Sequence, residues 1–146
     1  LQGTDIRVAA EDAIFGVTEA RRGLFPLGGS SVRLRRQIPY TLAAEILLTG
    51  RNVTAQEALE FGLVGRVVPS GQALAEAKKI AAEICANGPL SIRALMRVLR
   101  EIDESYSEAD ALAKELEYGG PVFASKDARE GPRAFAEKRT PLFRGE

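Results

Sequence analysis

The stretch FGVTEARRGLFPLGGSSVRL, Phe15 to Leu34, sets one carboxylate between short apolar runs. Phe15 and Val17 precede Glu19, and Leu24 and Phe25 follow it. Apolar neighbours can partly desolvate a carboxylic acid, which raises its pKa toward the range useful for proton transfer. Glu19 is therefore a candidate general acid or base. The plain alternative is a solvated surface residue, since glutamate is mostly exposed. Downstream, PLGGSS, which includes Leu27 and Gly28, can bring backbone N–H groups close to a ligand, because glycine has no Cβ to block the approach. It can equally be a turn into a helix capped by Ser30 or Ser31.

Several other chemistries are excluded by composition. The chain has no histidine, which removes Ser-His-Asp and Cys-His catalysis and His-containing zinc sites. The single cysteine, Cys85, can form neither an intrachain disulfide nor a multi-thiolate metal site. Its setting, AAEICANG, reads as the buried face of a helix and so as a structural thiol. RLRRQ, with Arg33, Arg35 and Arg36, is a basic cluster whose default is a solvated face, with phosphate contact as the weaker reading. Arg93, Arg97 and Arg100 read as the wet side of an amphipathic helix. Phe123 and Phe135 read as core or interface, and Lys138 in AEKRT as surface.

The elements that must position these residues come in two textures. With 146 residues and 45% hydrophobic content, the chain is long enough for one cored domain. Lys+Arg and Asp+Glu balance at 20 each, which argues against a nucleic-acid binder. No apolar run approaches the roughly 18 residues of a membrane span, and the start, LQGTDIRVAA, is unlike a signal peptide. The start also lacks a methionine and lies close to a strand-like DIRVAA, so a piece of a longer protein is expected. Up to Pro69, the strand-like runs IRVAA, AIFGV and Gly65 to Val68 alternate with helices, which indicates α/β layering. A helix is predicted from Pro39 to Gly50. TAQEALEFG carries a capping box, Thr54 with Glu57, and Gly62 offers a left-handed exit. From Ser70 the period is helical. Ala73, Ala77, Ile80, Ala81 and Ile84 form one stripe, and Ile92, Leu95, Met96 and Leu99 a second. Ser107 and Asp110 open a third helix, striped by Ala109, Leu112, Ala113 and Leu116 and broken at YGGP. Pro132 is expected to start or kink a last short helix. These helices make a poor core alone and are expected to pack on the first half or on another subunit.

The order of three stretches carries a resemblance. DIRVAAEDAIFGVTEARRGLFPLGGSSVRL, then AAEILLTGRNVTAQEALEFGLVGRVVP, then FASKDAREGPRAFAEKRTPLF resembles the C-terminal half of the crotonase superfamily, the enoyl-CoA hydratase/isomerase family. The resemblance implies an α/β fold. Residues 1–69 would be the last part of a β-β-α spiral core, and residues 70–146 a helical trimerisation region. It implies an enoyl-CoA hydratase that adds water to a trans-2-enoyl-CoA thioester, with an enoyl-CoA isomerase or a non-catalytic acyl-CoA-binding protein as alternatives. Glu19 lines up with the family's second acid/base glutamate, in the pattern F-G-x-P-E. The first glutamate and the oxyanion amides would lie ahead of Leu1, in an N-terminal half of the same protein.

Thr18 stands where the pattern has proline, which changes loop stiffness. Leu27 stands where many hydratases have a glycine lining the water site, so its side chain could crowd out the water or shorten the pocket. Leu27 and Gly28 would thus be substrate-binding. Lys138 matches a lysine that reaches a CoA phosphate from a neighbouring subunit, and the aromatic residue of that CoA site falls near Gly119 and is unmatched. The resemblance further implies a homotrimer or dimer of trimers, no metal, no cofactor beyond the CoA of the substrate, and a cytoplasmic setting in fatty acid metabolism.

Overall fold

The computed structural model describes all residues 1–146 and shows a mixed α/β chain. It divides into two compact units, Leu1–Lys79 and Ile80–Glu146.

In the first unit, β1 (Val8–Ala10) pairs parallel with β4 (Arg66–Val68), with Ala9 opposite Val67. β2 (Ile14–Gly16) pairs antiparallel with β3 (Asn52–Thr54), with Phe15 opposite Val53. Each pair is its own two-stranded sheet. A 3-10 helix, Glu19–Arg22, leads from β2 toward α1 (Ser30–Gln37) and α2 (Tyr40–Thr49). Ile38, between the two helices, is extended (φ −135°, ψ 164°) because the ring of Pro39 disfavours a helical residue before it. Gly50 ends α2 in the left-handed region at φ 63°, which a glycine adopts without a Cβ clash. Leu34, Ile46, Val53, Ala58 and Val64 lie in one buried cluster that joins α1, α2, β3 and α3 (Ala55–Glu60).

The capping box forms as read. The Thr54 hydroxyl accepts from the Glu57 N–H at 3.2 Å, and the Glu57 carboxylate accepts from the Thr54 N–H at 2.8 Å. Those bonds from Thr54, with the Arg51 guanidinium, hold the Glu57 carboxyl below its ordinary value. Arg51 also reaches Glu45 at 2.6 Å and so ties the α2 helix to the start of α3.

α4 (Ala73–Cys85) contains the division between the units. None of its residues is buried, and Cys85 is exposed, which corrects the reading of a buried thiol. One residue past Ile84, Cys85 is turned about 100° around the helix from that face.

In the second unit, α5 (Pro89–Glu101) packs on α6 (Glu108–Phe123), and α6 contacts α7 (Asp127–Ala136). Tyr118 is buried, donates its hydroxyl to Glu101 at 2.7 Å, and carries the Arg97 guanidinium 3.7 Å above its ring. Arg97 thus joins two helices rather than simply facing water. Ser107 caps α6 by accepting from the Asp110 N–H. YGGP does not break α6, which runs through Gly119, Gly120 and Pro121 to Phe123. The proline falls in the last turn, and both glycines line the open groove between α5, α6 and α7. α7 likewise starts at Asp127 and carries Pro132 within it. The apolar stripes exist but stay open: Leu99 and Leu116 are 72% and 73% exposed. Phe123 and Phe135, at 85% and 87%, are not core.

Candidate functional site

Glu19 stands first in the 3-10 helix that follows β2, and it is half-buried. Val17 beside it is buried and Phe15 half-buried, whereas Leu24 and Phe25 are 62% and 67% exposed and do not shield it. The Glu19 carbonyl accepts from the Leu24 N–H at 3.0 Å, and Gly23 turns the chain at φ 67°.

The carboxylates that are not fully exposed are Glu19, Glu57, Glu76, Asp127 and Glu130. Four of them are engaged. Glu57 binds Thr54 and Arg51, and Glu76 binds Arg66. Asp127 accepts from the Arg144 and Gly145 N–H groups at 2.9 and 2.7 Å. Glu130 pairs with Arg139 and accepts from the Leu142 N–H at 2.9 Å. The Glu19 carboxylate is the exception, with neither an ion pair nor a hydrogen bond inside the chain. Its oxygens stay within reach of solvent, since Gln37 Oε1 is the only buried side-chain polar atom without a partner, so the Glu19 carboxylate keeps its hydrogen-bonding capacity for water or a ligand.

The turn after Glu19 is a helix start without a side-chain cap. Gly29 is the N-cap at φ 96°, and Ser30 is already the first helical residue, so neither serine caps α1. Gly28 is exposed and a Cβ added there would meet nothing within 4 Å. Gly28 lines a cavity of about 410 Å³ with Phe15, Val17, Ser30 and Arg33. Neither Glu19 nor Leu27 lines it, and the Leu27 side chain is 89% exposed. The structure therefore brings Gly28 to the cavity and leaves Leu27 on the open surface of the same turn.

Lys138 lies in the other unit, just past α7, and is exposed. It is the only non-glycine residue with a positive φ, 53°. Its N–H donates to the Phe135 carbonyl at 3.2 Å, closing the end of α7. Glu130 beneath that end is held down to about 2 by the Arg139 guanidinium and the Leu142 N–H.

Thr18, Arg21 and Arg22 carry more than the sequence disclosed. The Thr18 hydroxyl accepts from Arg22 Nη1 at 2.9 Å, a bond that a proline could not make. Arg21 Nε donates to the Thr49 carbonyl at 3.1 Å. No side-chain motif announces that bond, because its acceptor is backbone and lies far along the chain.

The family model described as enoyl-CoA hydratase/isomerase matches residues 2–146. The chain is 59% identical over 143 residues to the enoyl-CoA hydratase EchA19 of Mycobacterium tuberculosis, covering 98% of itself and 53% of that protein. It is 38% identical over 144 residues to the carnitinyl-CoA dehydratase of Proteus mirabilis, covering 97% of itself and 55% of that protein. Among solved structures, it superposes on an enoyl-CoA hydratase of Mycobacterium tuberculosis H37Rv with a TM-score of 0.93 at 42% identity, over 99% of this chain and 57% of that one. The chain thus spans about half the length of the curated relatives it matches. With the family matched nearly end to end and the crotonase α/β fold shared at this identity, the chain belongs to the enoyl-CoA hydratase/isomerase family.

Proposed function

We propose that this chain is the C-terminal half of an enoyl-CoA hydratase, and that the complete protein adds water to a trans-2-enoyl-CoA thioester. The observation that carries the reading is Glu19, a half-buried residue whose carboxylate is left unengaged within the chain. Two carboxylates, Glu19 and one supplied by the N-terminal half, hold one water against the double bond. Its oxygen bonds to Cβ as hydroxide, and a proton is delivered to Cα. Backbone N–H groups stabilise the enolate oxygen while charge develops there, the term that usually contributes most. The reading is supported by two relatives whose names describe addition or loss of water.

An enoyl-CoA isomerase is the second reading, since it needs only one carboxylate to move a proton between carbons and Glu19 is the unengaged one in this chain. Leu27 stands where the family pattern has a glycine at the water site, but here its side chain is 89% exposed and outside the cavity, so Leu27→Gly tests whether it borders the complete site. Lys138 from a neighbouring copy reaches a CoA phosphate in a homotrimer or dimer of trimers. That assembly is supported by the open stripes of the second unit. Cytoplasmic action is part of the same proposal, and no helix is long and apolar enough to cross a membrane.

The test uses the complete protein with trans-2-enoyl-CoA and 3-enoyl-CoA assays side by side. Glu19→Gln is expected to keep acyl-CoA binding and to lose about 10²–10⁴-fold in turnover, because an amide cannot shuttle a proton. Leu27→Gly leaves hydration equal or faster in a hydratase. In an isomerase it raises hydration at the expense of isomerisation. Full hydratase turnover in Glu19→Gln refutes the catalytic role. Acyl-CoA binding without activity on either substrate leaves a non-catalytic binding protein.

A further inference from the structure

The side chain of Glu19 has no partner within the chain, so its orientation depends on the backbone that carries it. That backbone is a 3-10 helix of four residues, too short to hold its own direction. We propose that Arg21 is the positioning residue for Glu19: it fastens this short helix to the end of α2. The proposal rests on the acid/base reading of Glu19.

Three observations support it. Arg21 Nε donates to the Thr49 carbonyl at 3.1 Å, and Thr49 is the last residue of α2. The last carbonyls of a helix have no partner in the helix itself, and a cation at that end is favoured by the helix dipole. The bond therefore satisfies α2 and anchors the turn together. Next, Gly50 makes room for the arginine stem. A Cβ added at Gly50 would lie 3.0 Å from Arg21 Cγ and 3.3 Å from Nε, closer than ordinary packing allows. Finally, the turn is tightened from within. The Arg21 N–H donates to the Thr18 carbonyl at 3.1 Å, and Arg22 Nη1 donates to the Thr18 hydroxyl at 2.9 Å. Glu19 thus sits between a residue bonded to both arginines and an arginine bonded to α2. A misplacement of about 1 Å at a reacting group costs on the order of 10²-fold in rate, so a modest loosening is measurable.

Arg21→Met keeps the stem over Gly50 and removes the donors. In the complete protein it is expected to lower kcat for hydration about tenfold while KM and melting temperature hold. Arg21→Lys should recover part of the loss, since an ammonium can still donate to the Thr49 carbonyl but lacks the guanidinium fork. In a Glu19→Gln background, Arg21→Met should bring no further loss, because no proton shuttle remains to be misplaced. An unchanged kcat in Arg21→Met overturns the proposal. So does a tenfold loss repeated in the Glu19→Gln background, or a loss that both the Met and Lys variants share with a lowered melting temperature. Full turnover in Glu19→Gln alone refutes the acid/base reading instead, whatever Arg21 does.

Discussion

At the scale of single residues, a carboxylate whose hydrogen bonds are already spent on neighbours is poorly placed to act on a substrate. Glu57 and Glu130 are committed to neighbours that hold their carboxyls low, and Glu19 is not. Lys138 presents another kind of tension. A side chain in the left-handed region costs roughly 1–2 kcal/mol relative to its ordinary backbone, a strain glycine would not feel. Lys138→Gly is therefore expected to raise the melting temperature, by up to about 1 kcal/mol of stability once glycine's freer unfolded chain is counted. If Lys138 has the proposed phosphate role, the substitution should also raise KM for enoyl-CoA about tenfold, through loss of a charge-assisted bond. The matching pantetheine thioester, which lacks the nucleotide phosphates, should keep its KM. A KM that rises equally for both substrates would remove the phosphate role from Lys138. Glu19 and Lys138 are readable as candidates from the order of motifs, and the assays above test the roles that the pattern implies. Arg21 is not readable in that way, because a bond to a distant carbonyl leaves no pattern of side chains to read.

Elements were legible where both partners of a contact lie within a few residues. Thr54 with Glu57, Ser107 with Asp110 and the glycine after Thr49 all follow from local chemistry, and all are present. Gly119, Gly120 and Pro121 read as a break because local propensity disfavours a helix, yet α6, which packs on α5 and contacts α7, continues through them. Cys85 reads as inside from its apolar neighbours, but it lies about 100° round α4 from Ile84, and no residue of α4 is buried. The end of α7 yields a prediction at this scale. Arg139, with the Leu142 N–H, holds the Glu130 carboxyl at about 2, against an ordinary value of 4.5. A depressed carboxyl contributes stability that is fully present above the unfolded value and lost as pH falls through the folded one. Thermal melting of the complete protein is expected to decline between pH 4.5 and about pH 2 partly on this account. Glu130→Gln should melt lower at neutral pH and show a flatter decline across that window. An identical slope in the two proteins would assign the acid sensitivity elsewhere.

At the scale of the whole molecule, the second unit has few buried side chains of its own: Tyr118, Ser125, Asp127 and Ala134. Its leucine and phenylalanine faces are left to water, including Leu116 at 73% and Phe123 at 85%. Helical periodicity made those faces legible in the sequence, but it carries no information about what covers them. The complete protein is expected to sediment as a trimer or a dimer of trimers at micromolar concentration, and a monomer alone would contradict that. An open apolar face also has a bearing on how the enzyme is assayed. If neighbouring copies both cover Leu116 and lend Lys138 to the site, each working site is a product of mass action. Specific activity is then no fixed property of the preparation. It should hold steady at high enzyme concentration and fall on dilution below the assembly constant, recovering on reconcentration. Rates measured at very different enzyme concentrations would disagree without any molecule having been damaged.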